Sequence, residues 1–204
     1  MSPERWLSLM HAFGVGPNLD TYERLLVAYS EPHRHYHTAD HISACLRQLD
    51  EARDLAIFPA EVEVALWFHD AINSPAAFDN ESRSAQWAAQ FLSSAGISRE
   101  ACQRVHQHIM ATRHETQPAD GDSALVVDID LSILGQDPST YAEFEKDIRE
   151  EYRWVPWLLY RRKRREILQS FLDRKYIYAT PHFRNRYEQA ARSNLRSAIG
   201  ELEK

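Results

Sequence analysis

The chain has 204 residues, 44% of them apolar and five of them tryptophan, enough for a packed core in one ordinary or slightly large domain. Only six glycines argue against an all-β or loop-rich protein, because turns with positive φ draw mostly on glycine. A formal net charge of −6 disfavours a general nucleic-acid binder, yet a locally positive pocket for a small anion remains compatible with it.

Ser2-Pro3-Glu4 is a helix opening: a capping hydroxyl, a proline in the first turn, an early acid. Trp6, Leu7, Met10 and Phe13 carry a helical stripe to Gly14, and a second helix runs through Tyr22, Leu25, Leu26 and Tyr29. Pro32 makes the His-rich stretch 31–36 a loop. A third helix is predicted from Ala39 to Leu55, with Ile42, Cys45, Leu46 and Leu49 on one face. Pro59 opens a fourth, which holds the apolar run 62–68 and ends near His69-Asp70. A fifth starts at Asn80-Glu81 and stops at Gly96; a sixth runs from Ser98 to about His114. Residues 115–121 are polar, contain Pro118 and read as a connection. The run 125–131 has the β-branched content of a strand, but is assigned to a helix because nothing else would pair with it as a sheet. Pro138 opens an acidic helix, a basic one follows, and a last one begins at Thr180-Pro181. No repeat, low-complexity tract or linker divides the chain.

Cys45 and Cys102 are far apart, without metal-type spacing, and read as small core residues in a reducing compartment. The N-terminal residues lack the apolar run of a signal peptide, and no stretch is long enough to span a bilayer. The expectation is a cytoplasmic protein with no membrane partner. Its oligomeric state is left open.

Residues with chemistry fall in three places. His37 and His41, four apart, share one helix face if the helix includes both, a common way to hold a divalent ion; the alternative is a solvated polar loop of His33, His35, His37 and His41. His69-Asp70 ends an apolar helix, and a carboxylate there is either already in solvent or functional, since buried charge must be paired or metal-bound. Asp128 and Asp130 point about 200° apart on a helix, so one faces a site and the other the opposite, solvated side, unless both are surface acids. His106 and His108 do not share a face, whereas His114 stands at a helix end. The basic run 161–165 reads as a solvated face paired with acids between Glu143 and Glu151, or as a phosphate contact through Arg164 or Arg165. Trp154 and Trp157 read as core, or as the lining of a nucleobase pocket.

The ordered set of Tyr36-His37-x-x-x-His41, Phe68-His69-Asp70 and Asp130-Leu131-Ser132 resembles the HD superfamily of metal-dependent phosphohydrolases. The segments 31–37, 79–81, 111–114, 128–135, 148–152, 177–178 and 188–195 extend the likeness to a bacterial branch of predicted HD phosphohydrolases, over nearly the whole chain from about Leu25. The resemblance implies an all-α, HD-domain helical bundle of about nine or ten helices with a metal cleft. It implies one domain over 1–204, with a core at about 25–135 and C-terminal helices 138–204 packed on it. The implied metal ligands are His41, His69, Asp70 and Asp130. The Tyr-His-x-x-x-His and Asp-Leu-Ser segments also look like those of cyclic-nucleotide phosphodiesterases, which makes His37 a general acid or substrate contact. His114 would complete a second metal position or meet the substrate. The chain departs from the pattern twice. No glutamate closely follows the His-Asp pair, so Glu81 is its stand-in, and Lys163-Arg164 stands where Gly-Arg is expected.

The expected activity is hydrolysis of a phosphate ester or anhydride, of a small phosphorylated molecule such as a nucleotide, by metal-activated water. The divalent ion could be Mn, Co, Ni, Mg, Zn or Fe. A histidine is matched to protonate the leaving oxygen, and Arg34, three residues before His37, is placed to meet phosphate charge. The alternatives are a di-iron oxygenase on the same fold and a nucleotide-sensing module without catalysis.

Overall fold

The apolar run 62–68 lies at the centre of the molecule. In the computed structural model, which describes residues 1–116, 118 and 121–204, it belongs to the helix Pro59–Phe68, buried at every position from Glu61 onward. A helix apolar all round has no face to give to water, so it must be enclosed. The chain is all-helical among the described residues, with ten α-helices and two 3-10 turns. The helices are α1 (Pro3–Ala12), α2 (Leu19–Ala28), α3 (Ala39–Ala52), α4 (Pro59–Phe68), α5 (Asn80–Ser94), α6 (Arg99–Ala111), α7 (Gly121–Asp130), α8 (Pro138–Glu151), α9 (Trp157–Leu172) and α10 (Pro181–Glu203). Around α4 pack α1, α3, α5, α6 and α7. The 3-10 turn Leu131–Gly135 extends α7 and forms the floor on which α8 and α10 rest.

The local chemistry of the termini explains the boundaries. Ser2 and Thr38 each accept a hydrogen bond from a backbone N–H of the turn that follows, and prolines open α1, α4, α8 and α10. The third helix ends earlier than its periodicity predicts, at Ala52, and tightens into a 3-10 turn over Arg53–Leu55. The sixth also stops short of His114, which adopts a left-handed backbone at φ 57°. The ambiguous run 125–131 is helical, enclosed by α3, α4 and α6. Of the predicted connection 115–121, Gln117, Ala119 and Asp120 lie outside the described residues.

Two acids on α4 test the rule on buried charge. Glu63 receives Arg5 at 2.8 Å and Arg53 at 2.9 Å, and Glu61 receives both arms of Arg104 at 2.7 Å. Asp128 corrects the expectation for its helix. It points away from Asp130 as the 100° step requires, but that side is not solvated. Asp128 is fully buried and accepts the backbone N–H groups of Ala179 (2.8 Å) and Thr180 (2.7 Å), which fastens the start of α10 to α7.

Candidate metal centre

The helices deliver side chains to one point from four directions. His41 comes from the first turn of α3, His69 and Asp70 from the end of α4, and Asp130 from the last residue of α7. His114, just beyond α6, joins from the side. His41 Nε2 lies 3.2 Å from His69 Nε2, 3.3 Å from Asp70 Oδ2 and 3.4 Å from Asp130 Oδ1. His69 Nε2 lies 3.0 Å from Asp70 Oδ2 and 3.4 Å from Asp130 Oδ1. The second oxygen of Asp130 accepts from His114 Nε2 at 3.1 Å.

The tautomer of His69 follows from its other nitrogen. Nδ1 is 3.0 Å from the carbonyl of Leu66, which can only accept, so Nδ1 carries a proton and Nε2, the nitrogen facing the cluster, is the one whose proton a metal ion would displace. That arrangement asks for a cation. Donors about 2.0–2.2 Å from one centre are about 3.3–3.6 Å apart in a tetrahedron and about 2.8–3.1 Å in an octahedron. The observed spacings, 3.0 to 3.4 Å, run from the octahedral range into the tetrahedral one. His41, Cys45 and His69, all buried, and half-buried Asp130 form a group that could hold a metal ion.

Charge balance points the same way. Burial pushes the Asp70 and Asp130 carboxyls up, but the surrounding imidazoles outweigh it and hold both well below the usual carboxylate range. Burial pulls His41 and His69 down, and the opposing anionic neighbours raise both well above the usual value. In this form protons supply the positive charge that a divalent ion would supply on displacing them.

Cys45 is the member that sequence reasoning set aside. It packs in the core and also sits beside the ring of His41, its Sγ 3.8 Å from Nδ1 and 3.7 Å from Nε2. The available signal was His41-x-x-x-Cys45, one turn of α3 apart.

A larger omission is Glu151, at the end of α8. Its Oε1 accepts the backbone N–H groups of His35, Tyr36 and His37 at 2.9, 2.9 and 3.0 Å, and its Oε2 accepts from His37 Nδ1 at 2.6 Å. The carboxylate is thus an anchor for the 35–37 turn and an orienter for the His37 ring. Burial pushes Glu151 up, but His37 and these backbone donors outweigh it and bring its pKa down to about 2. Nothing in the spacing of residues 31–41 announces a partner on α8.

Arg34 has different partners from those expected of a phosphate contact. Its side chain is fully buried, and it donates to Glu31 Oε2 (3.0 Å), His37 O (3.0 Å), Asp70 O (2.7 Å) and Ala71 O (3.1 Å). It staples the entry of α3 to the exit of α4, which sets His41 against His69. Arg164 is likewise committed: it forms a fork with Glu145 at 2.9 and 2.7 Å and lies over the ring of Phe144, the acidic-helix pairing already foreseen for the basic run. Glu81 sits half-buried in the first turn of α5; together with burial, Glu151 and Asp70 it raises the Tyr152 phenol, and no hydrogen bond or ion pair joins it to the cluster among the described residues. His108 is bonded to Ser123 at 2.8 Å, and His106 lines a separate surface cavity beside Cys102. Trp154 and Trp157 are not core residues: they are 61% and 49% exposed where α8 turns into α9.

No protein-family model matches the chain, and neither a curated protein nor a solved structure does. The helical architecture and the buried group are compatible with an HD-like fold.

Proposed function

We propose that the chain is a metal-dependent phosphohydrolase of the HD type, acting on a phosphate ester or anhydride of a small molecule such as a nucleotide. The observation that carries this reading is the convergence of His41 Nε2, His69 Nε2, Asp70 Oδ2 and Asp130 Oδ1 beside a histidine, His37, that a buried carboxylate holds in place. Those four residues are the proposed metal ligands. Cys45 is a wall rather than a ligand, because its sulfur is nearly equidistant from both ring nitrogens of His41 and so lies off the Nε2 lone-pair axis. A bound divalent ion supplies Lewis-acid chemistry that polarises a phosphoryl oxygen and acidifies water.

The chain's own groups do the remaining work. Glu151 fixes His37 through Nδ1, so Nε2 is the nitrogen that passes a proton to the departing oxygen. Arg34 keeps the backbones of His37, Asp70 and Ala71 in register. Glu81 is the proposed acceptor for the proton lost by attacking water. A cavity of about 400 Å³, lined by His41 and Asp130 together with His35, Thr38, Arg47 and Gln136, gives a small polar molecule room against the cluster.

The test is metal content followed by turnover. Purified protein should hold stoichiometric divalent metal, and His69→Ala should lose it. Metal-loaded protein should hydrolyse at least one member of a panel of phosphomonoesters, cyclic diesters and pyrophosphates with Mn, Co, Ni or Mg. Absence of hydrolysis across the panel, with metal bound, would overturn the proposal.

A further inference from the structure

Arg174 follows the end of α9, and its guanidinium is only partly satisfied. Nη2 donates to the carbonyl of His114 at 2.8 Å, the group lies 4.5 Å from the ring centre of Phe171, and Nη1 is buried with no hydrogen-bond partner. Among the described residues no carboxylate pairs with it. Burial holds its pKa below the usual arginine value. The neighbouring His114 ring packs edge-on against the same Phe171, at 5.8 Å. Its Nε2 donates to Asp130, and its Nδ1 is also buried without a partner.

Two unpartnered nitrogens therefore belong to adjoining residues that share one aromatic wall, one residue away from the metal centre. Their chemistry is complementary. Arg174 Nη1 can only donate. His114, with its proton on Nε2 for Asp130, presents a lone pair at Nδ1 and can accept. Buried polar groups in native proteins are satisfied, by protein, water or ligand, so the pair calls for a group with an acceptor oxygen and a hydroxyl. Nor is Arg174 a loose side chain. Arg192 donates to the carbonyls of Leu172 (3.0 Å), Arg174 (2.8 Å) and Lys175 (3.0 Å), and is itself held by Glu188 at 2.7 Å. That framework fixes the segment from behind and aims the guanidinium in advance.

We infer that Arg174 Nη1 and His114 Nδ1 form a subsite for a terminal phosphate, the arginine donating to a P–O⁻ oxygen and the histidine accepting from a P–OH. This rests on the phosphohydrolase reading and narrows it. A singly protonated terminal phosphate offers both groups, whereas a phosphodiester has no P–OH, so the substrate class is a terminal phosphate, on an ester or an anhydride, and not a diester. Arg174 takes the role that Arg34 and Arg164, both committed to protein oxygens, leave open.

The experiment is calorimetric titration of metal-loaded protein with inorganic phosphate and, separately, with dimethyl phosphate, without turnover. Wild type should bind phosphate at least tenfold more tightly than dimethyl phosphate. Arg174→Met should weaken phosphate binding at least tenfold with metal content unchanged, and Arg174→Lys should fall between. Equal phosphate affinity in wild type and Arg174→Met, or equal affinity of wild type for the two anions, would overturn the subsite. If Arg174→Met does not fold, a wild-type crystal soaked in phosphate decides: phosphate within hydrogen-bond reach of Arg174 Nη1 supports the assignment, and a water alone there refutes it. Phosphate binding through Arg174 in a protein that hydrolyses no phosphate ester would keep the subsite and remove the catalytic reading.

Discussion

His37 and Glu151 meet at 2.6 Å, Nδ1 to Oε2, across 114 residues of chain. One oxygen of the glutamate gathers three successive backbone N–H groups and the other holds the ring, so a single carboxylate sets both the turn before α3 and the direction of its histidine.

That relationship has a pH signature. A folded-state pKa of about 2 lies below the ordinary 4.5, so the stabilisation is fully present above about pH 4.5 and is lost as pH falls toward about 2. The size is about 3 kcal/mol, at 1.36 kcal/mol for each pKa unit. Glu151→Gln should unfold more readily at neutral pH, and the gap from wild type should close between about pH 4.5 and 2 in urea titrations. An unchanged gap across that window would refute the assignment. Where hydrolysis is measurable, the variant should lose about 10²-fold or more in kcat, the range associated with a lost general acid.

Chelation should separate structure from chemistry at the cluster. Removing metal returns His41, His69, Asp70 and Asp130 to the proton-balanced arrangement, so the fold should survive with a lower Tm. At a hundred times Kd, restored metal should add about 2.7 kcal/mol. Differential scanning fluorimetry with EDTA, then Mn or Co, measures this. An identical Tm in all three conditions, or in wild type and His69→Ala with metal, would remove the ligand assignment.

Arg34→Lys distinguishes a staple from a substrate contact. Lysine keeps the charge but cannot reach four acceptors in a planar fork. The expected cost is about 2–4 kcal/mol of stability in the absence of any ligand, because the carbonyls of His37, Asp70 and Ala71 lose a charge-assisted partner together. Metal affinity should fall with it. A variant with wild-type stability and metal binding, altered only in KM, would return Arg34 to the substrate.

Gly135→Ala tests the packing behind the site. A methyl group at Gly135 would stand 2.5 Å from Tyr187 Cβ, which belongs to the backbone-proximal part of α10 and cannot swing aside. Separating Leu131–Gly135 from α10 should cost about 1–3 kcal/mol. Chemical denaturation reads the shift, and a midpoint equal to wild type would show that α10 moves freely over the turn.

The local features were legible before the fold was known. Helix openings at Pro3, Pro59, Pro138 and Pro181, and the enclosed run 62–68, follow from caps, prolines and apolar pattern, which act over a few residues. The same local logic misjudged Trp154 and Trp157, because whether an aromatic at a helix turn is covered depends on what packs there, and what does leaves both rings largely exposed. It also took Asp128 for a surface acid, when the second side of α7 is closed by the segment leading into α10.

By itself, then, the sequence determined which segments are helical and the order in which His41, His69, Asp70, His114 and Asp130 occur along them. The tertiary structure decided what those residues meet. Arg34 reaches Asp70 across 36 residues and Glu151 reaches His37 across 114, while Arg174 closes on His114 across 60. Helical periodicity carries no record of such partners. A charged group buried at a helix crossing must be matched by whatever the crossing brings within about 3 Å, and only the packing of α3, α4, α7, α8 and α9 settles what that is.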